Sequence, residues 1–168
     1  MHEVVITRVT PRDWPALRDL RLRALQTDPL SFGSTYDREA RFSDDDWRRW
    51  ASEDSLGDVM ATWIATREQR PVGIVGAYRD KTDPVLFHIV AMWVAPEVRG
   101  EGIGRQLLAQ IEGWIRSCGG QVVQLHVTTT ASAARRLYET AGFAPDGDLR
   151  ESNHTPGLSE VSLRKTLL

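Results

Sequence analysis

Apolar residues along this chain follow two different periods, and the switches between them mark the elements. Glu3 to Val9 is rich in Val and Ile and reads as a first strand. Trp14, Leu17, Leu20, Ala24 and Leu25 then recur at helical spacing, behind Thr10 and Pro11. Those two suit an N-cap and a first helical position. Pro29 ends this helix by disfavouring helical backbone at Asp28. The polar segment SFGSTYDREARF, with scattered aromatics, reads as a loop with room for a short helix. Ser43 followed by Asp44, Asp45 and Asp46 starts another helix, with Trp47 and Trp50 on one face.

Further on, Val59 to Thr66 alternates, and Pro71 to Tyr78 follows a short turn at EQR, which predicts a hairpin. Val85 to Val94 is too apolar for simple alternation and predicts a central strand. Ile103, Leu107, Leu108, Ile111 and Ile115 mark one helical face, ended by Gly119 and Gly120. Val122 to Val127 is a strand, and Ala131 to Ala141 a helix closed by Gly142. Phe143 to Leu149 and Ser159 to Leu168 are the last strands, joined by the polar loop RESNHTPG. No repeat or linker interrupts the series. The order β-α-α-β-β-β-α-β-α-β-β predicts one α/β domain over residues 1–168, a mixed sheet with helices on its faces.

Composition narrows the function classes. With 168 residues, 41% hydrophobic and 26% charged, the chain has enough apolar material for one core. A net charge of -2 gives no basic field for nucleic acid. No stretch approaches a membrane span, and the N-terminus lacks a signal-peptide pattern, so the expected location is the cytoplasm. Cys118 is the only cysteine, which excludes an internal disulfide; it reads as an inert, partly buried thiol. No metal site is expected.

The stretch VAPEVRGEGIGRQLL breaks good strand and helix signals with three glycines and an arginine. A glycine-rich turn leading from a strand into a helix makes an anion site: the first helical N–H groups are unpaired and carry partial positive charge. Gly100, Gly102 and Gly104 clear the backbone's approach, and Arg99 adds a cation, so a pyrophosphate suits the site. A tight turn that binds nothing is the plain alternative. No Lys-Ser/Thr follows, so this is not a P-loop; G-x-G-x-G late in the chain is not a dinucleotide fingerprint either.

Arg99-x-x-Gly102-x-Gly104, with Val94 and Pro96 before it and Leu107-Leu108 after it, resembles the acetyl-CoA signature of the GNAT superfamily of N-acetyltransferases. Ala134-Arg135-Arg136-Leu137-Tyr138 followed by Gly142-Phe143 resembles that family's A-x-x-L-Y-x-x-x-G-F segment, in the family's order. The resemblance implies a mostly antiparallel central sheet and acetyl transfer from acetyl-CoA to a small-molecule amine or peptide. It also implies that backbone groups of Arg99, Gly100, Glu101, Gly102, Ile103, Gly104 and Arg105 hold the pyrophosphate. Met92, Trp93 and Val94 would meet the pantetheine arm where the fourth strand parts from the fifth. A homodimer is compatible with the family's habits.

Amine attack on a thioester needs a proton donor for sulfur and a route for the amine's proton. The resemblance gives the donor role to Tyr138, and a phenol of pKa about 10 matches a thiolate leaving group. His88 lies on the fourth strand, on one face with Val90 and Met92 by period two, and titrates near neutrality. It is the candidate base, with Glu39 or a water chain as alternatives. The position where the family often carries a carboxylate is Val90, and its frequent Asn is Ala131, for which Thr128, Thr130 or Ser132 would have to substitute. His126 reads as a packed residue near the cofactor arm. Arg105, Arg135 and Arg136 are candidates for the adenosine 3′-phosphate. The family's acceptor region maps to Phe32, Tyr36, Glu39, Trp47, Trp50 and the loop from Arg150 to Gly157, an aromatic and acidic set suited to an amine. Two other classes stay open: a non-catalytic acyl-CoA-binding or sensing module, and a structural protein whose glycine turn binds nothing.

Overall fold

Seven strands and five helices form in the order that the periodicity predicts, with a one-turn helix added in the loop after the first long one. A computed structural model describes residues 2–153 and 155–167. The strands are β1 (Val4–Arg8), β2 (Met60–Arg67), β3 (Arg70–Arg79), β4 (Leu86–Val94), β5 (Val122–Thr128), β6 (Ala144–Glu151) and β7 (Ser159–Thr166). The helices are α1 (Trp14–Thr27), α2 (Tyr36–Glu39), α3 (Asp44–Ser55), α4 (Ile103–Ser117) and α5 (Ser132–Thr140). One sheet runs β1-β2-β3-β4-β5-β7-β6. Every adjacent pair is antiparallel except β4 and β5.

Helices cover both faces because the sheet's inner strands are apolar on both sides. On one face α4 buries Ile103, Leu107, Leu108, Ile111 and Ile115, the stripe predicted from spacing. Its Trp114 packs against Trp63 of β2 and edge-on against Phe87 of β4. Each such Leu or Ile contributes about 1.5–3 kcal/mol by leaving water. On the other face lie α1, α2 and α3. Ser43 caps α3 through a reciprocal box with Asp46, as the sequence signals. Thr10 instead caps a single 3-10 turn at Pro11–Asp13, and α1 starts only at Trp14.

A buried ion pair ties α1 to α2. Arg21 Nε and Nη2 donate to Glu39 Oε2 and Oε1 at 2.8 and 2.9 Å. Both side chains are buried, and the guanidinium lies 4.7 Å from the Phe32 ring centre. A buried charge is tolerable only when matched in this way.

Several register shifts interrupt the sheet, and two backbone irregularities bear on the site. The β2–β3 hairpin turns on Glu68 and Gln69, with φ of 48° and 63°, between the paired residues Arg67 and Arg70. Both turn residues are left-handed, the geometry of a two-residue turn that favours Asn-Gly. The second irregularity is in β4. Gly76 pairs with Val90 and Ile74 with Trp93, so β4 spends one more residue than β3 over the same span. That is a bulge, and Ala91 within it has φ of 56°.

The bulge reverses which face the following residues occupy. Tyr78 pairs with His88 and Gly76 with Val90, and both β4 residues face α3. Beyond Ala91, Trp93 faces α1, donating from Nε1 to Asp28 at 2.7 Å. Met92 points the other way, toward Gly104 of α4. His88 and Val90 therefore share a face as expected, and Met92 does not. The extra residue is the reason.

Beyond His88, β4 and β5 part. Their registered pairs are Leu86 with Val122, Phe87 with Val123 and His88 with Gln124. β4 stays paired with β3 as far as Val94, and β5 with β7 as far as Thr128. Val90–Val94 and Leu125–Thr128 thus face a gap with backbone groups that have no strand partner across it.

Two outcomes follow for stability. Replacing Glu68-Gln69 by Asn-Gly relieves left-handed strain and raises stability by about 1 kcal/mol, or Tm by about 2–4 °C, in a thermal melt. An unchanged Tm would mean that the turn carries no strain. Glu39→Ala strands the Arg21 charge and lowers stability by about 3–5 kcal/mol in denaturant unfolding. A cost below about 1 kcal/mol would return Glu39 to the acceptor site.

Candidate functional site

The glycine stretch leaves β4 through a 3-10 turn at Pro96–Val98 and enters α4. Gly100 and Gly102 both have positive φ, 83° and 86°, which L side chains rarely adopt. A Cβ at either position would meet no heavy atom within 4 Å. These glycines are therefore required by backbone conformation and leave open space before the loop. The first intrahelical bond runs from Gln106 N–H to the Gly102 carbonyl at 3.1 Å. The amides of Ile103, Gly104 and Arg105 precede it and have no intrahelical acceptor. They form an anion site at the positive end of a 15-residue helix.

Gly104 has a second job. A Cβ there would lie 3.0 Å from Leu137 of α5 and 3.4 Å from the Met92 methyl. Its lack of a side chain lets α5 and β4 close on α4.

The charged members of the loop are already matched. Arg99 Nη2 donates to Asp28 Oδ2 at 2.6 Å and its Nε to the Val94 carbonyl at 2.9 Å. Trp93 Nε1 donates to the same Asp28 oxygen. Arg99 thus fastens the loop to the end of α1, and its charge is not a free one for phosphate. Glu101 is paired with Arg67 at the end of β2, which holds its carboxyl below the usual range and neutralises an acid beside the anion site. Arg105 and Arg136 are exposed and make no ion pair among the described residues, whereas Arg135 pairs with Glu139 at 3.2 Å.

Tyr138 is buried on the α4–α5 face, its ring edge-on to Phe143 at 5.9 Å. Its hydroxyl makes no hydrogen bond among the described residues. Burial pushes its pKa well above the ordinary phenol value, so the proton stays on oxygen through the neutral range. His88 is on the opposite face, stacked on Tyr78 at 4.9 Å. Its Nε2 lies 2.7 Å from Asp80 Oδ2. The His88 bond, with hydrogen bonds from Thr82 and Asp83, holds the Asp80 carboxyl far below the usual carboxylate range. Asp80 therefore stays charged and fixes the ring with Nδ1 free for other chemistry.

The acceptor residues expected from sequence divide. Phe32 is buried beneath Arg21, and both Glu39 oxygens are taken by Arg21. Tyr36 opens α2 and is half-buried. Trp47 is fully buried and stacks on Trp50 at 5.5 Å, leaving Trp50 the more accessible of the two. Within the loop from Arg150 to Gly157, His154 lies outside the described residues. His126 is half-buried on β5, where burial lowers its pKa. Ala131 offers no side-chain donor, and of its hydroxyl neighbours Thr128 is buried while Thr130 and Ser132 are exposed. Sequence reasoning missed Asp28 and Asp80. Asp80 had a local signal in its Asx turn at DKTD, but nothing in sequence pairs it with His88. Among the described residues, no cluster of three or more His, Cys, Asp or Glu forms a metal site, and no helix is long and apolar enough to cross a membrane.

Comparison with known proteins agrees with this geometry. The model of the acetyltransferase (GNAT) family matches residues 14–143. A curated relative, the N-alpha-acetyltransferase RimI of Mycobacterium tuberculosis, is 28% identical over 151 residues, 83% of this chain and 94% of the relative. The mycothiol acetyltransferase of Kocuria rhizophila is 35% identical over 92 residues, covering 51% of this chain and 30% of that protein. Among solved structures, a GNAT-family acetyltransferase from Streptococcus pneumoniae superposes with a TM-score of 0.86 at 22% identity, covering 99% and 100% of the two chains. The Salmonella typhimurium acetyltransferase yncA, solved with its cofactor acetyl-CoA, gives 0.80 at 17% identity over 99% and 95%. With its glycine-cleared helix start, its parted strands and a family match across both, this chain belongs to the GNAT acetyltransferase family.

Proposed function

We propose that this protein moves the acetyl group of acetyl-CoA to a primary amine of a small molecule or peptide, by direct attack. The observation that carries the reading is the glycine-cleared start of α4 at the end of β4, next to the gap between β4 and β5. The site fits the cofactor. Gly100 and Gly102 leave space that side chains would deny, and the α4 amides answer a pyrophosphate. Beyond the last β4–β5 pair, the N–H groups of Met92 and Val94 would meet an amide-bearing arm, while the Trp93 backbone is turned to β3 and the Val94 carbonyl already accepts from Arg99.

Bound acetyl-CoA supplies an activated acyl thioester. This chain's groups do the rest. A β4 N–H at Met92 or Val94 donates to the carbonyl oxygen as charge develops there. Tyr138 gives its proton to the departing sulfur. Burial keeps this group protonated at neutral pH, and it also makes the phenol a weaker donor than one with an ordinary pKa near 10. On the opposite face, His88 takes the amine's proton, with Asp80 holding the ring. His88 is three residues before the bulge, so a bridging water completes the path. Loss of the family's Asn at Ala131 removes one side-chain contact and leaves the backbone cradle intact. A module that binds acyl-CoA without turnover is not favoured, since the acid, the gap and the dyad are all present.

Calorimetric titration with acetyl-CoA tests the cofactor directly; saturable binding, with ATP much weaker, is expected. Tyr138→Phe keeps acetyl-CoA affinity within about twofold and lowers kcat about 100-fold or more. Unchanged kcat would remove Tyr138 from the chemistry. In the wild type, loss of activity from phenol ionisation lies above pH 10, because burial raises that pKa. Gly102→Asp strains a left-handed φ by about 1–2 kcal/mol and adds a like charge before the loop; once circular dichroism confirms its fold, the variant binds acetyl-CoA at least about 100-fold more weakly. Wild-type affinity in that folded variant would displace the assigned loop.

A further inference from the structure

Two adjoining hollows flank α3: an outer one of about 390 Å³ along its exposed side, between Phe42 and Met60, and an inner one of about 160 Å³ between α3 and the sheet. The inner one runs from Trp50 and Asp54 on α3, past Thr62 of β2 and Gly76 of β3, to Val90 and Ala91 of β4. It therefore ends at the bulge, where the strands part. Two strand spacings, about 10 Å, separate its β2 end from its β4 end. Its walls are largely apolar. The exception is Asp54, which is 7% exposed.

Asp54 is a buried carboxylate with no cation of its own among the described residues. Oδ2 accepts from Thr62 Oγ1 at 2.5 Å and from Trp50 Nε1 at 3.0 Å. No bond falls on Oδ1. The nearest guanidinium, Arg8, donates to the backbone carbonyls of Asp54, Gly57 and Met60 instead. Arg49 at the outer mouth pairs with Asp46. A helix-to-sheet tether needs only a neutral acceptor, and an asparagine would serve. A charged group at an apolar cavity wall is costly unless a cation completes it. Burial accordingly raises this carboxyl's pKa.

We propose that this cavity reads the acceptor, with Asp54 binding a second ammonium group about 10 Å from the nitrogen to be acetylated. The acceptor class is then an α,ω-diamine or a longer polyamine. An unbranched chain fits a groove whose walls are largely apolar, and Trp50 Nε1 helps hold the carboxylate at its β2 end. This inference rests on the acetyl-transfer reading and adds the substrate class to it.

The test is steady-state acetylation of diamines from 1,3-diaminopropane to 1,8-diaminooctane, each beside the monoamine of equal length. KM should reach its minimum among the longer diamines and stay well above that for every monoamine. Asp54→Asn should raise KM for the best diamine at least about tenfold more than for its monoamine, with KM for acetyl-CoA unchanged. Gly76→Ala narrows the groove while keeping the Asp54 carboxyl, and it crowds the Thr62 hydroxyl that donates to it. Its methyl would sit 3.3 Å from Thr62 Oγ1 and 3.4 Å from Val90 Cγ2, and it too should penalise diamines selectively. Equal effects on both amine classes, or no preference for diamines, would overturn the proposal. If no amine is acetylated, calorimetry with 1,7-diaminoheptane decides: binding that Asp54→Asn abolishes keeps the subsite while acetyl transfer fails, and no binding to the folded protein sinks it.

Discussion

The extra residue at Ala91 is the constraint on which the site depends. β4 must keep its hydrogen bonds to β3 while leaving β5, its only parallel neighbour. A regular strand cannot do both, because twist accumulates evenly along it. A bulge concentrates the bend at one point. The left-handed alanine there costs about 1–2 kcal/mol. It persists because ladder bonds on both sides of it fix the register. What that strain yields is a gap lined by backbone groups.

Reversal of side-chain direction matters as much as the gap. Before Ala91, β4 shows His88 and Val90 to the α3 face; after it, Met92 turns to α4. Tyr138 stands on the α4–α5 side and the His88–Asp80 dyad on the other. In the proposed reaction a phenol and an imidazole on opposite faces of one sheet would meet through the opening that the parted strands leave.

Much of this was legible in the chain. The α4 stripe, the Ser43 cap and the glycine loop are local patterns, and local patterns survive translation into structure. Ala91 was not legible, because an alanine inside LFHIVAMWV looks like any apolar strand residue. Its φ is set by registry with β3, which no short window contains. The pairings of Glu39 with Arg21, Arg99 with Asp28 and His88 with Asp80 were invisible for a related reason. A single sequence reports charge, and only the fold says who neutralises whom. Glu39 therefore looked like an acceptor ligand, and Arg99 like a phosphate ligand.

Those pairings carry a further consequence. Arg99, Glu101 and Glu39 were the charged side chains most apt to meet a substrate, and each is matched within the protein. In the proposed reading, anion recognition is therefore left to the N–H groups at the start of α4. Amide dipoles are fixed by the helix, carry no titrating proton and need no side-chain ordering when a ligand arrives. Side-chain cations would give a stronger field and a larger entropy cost. Matching Arg99 with Asp28 turns that cation into a clamp on the loop, so it stabilises the amides' geometry while the amides do the binding. Positive φ at Gly100 and Gly102 keeps the loop's backbone on a path that L side chains rarely adopt, so the position of those amides is set by the fold before any ligand arrives.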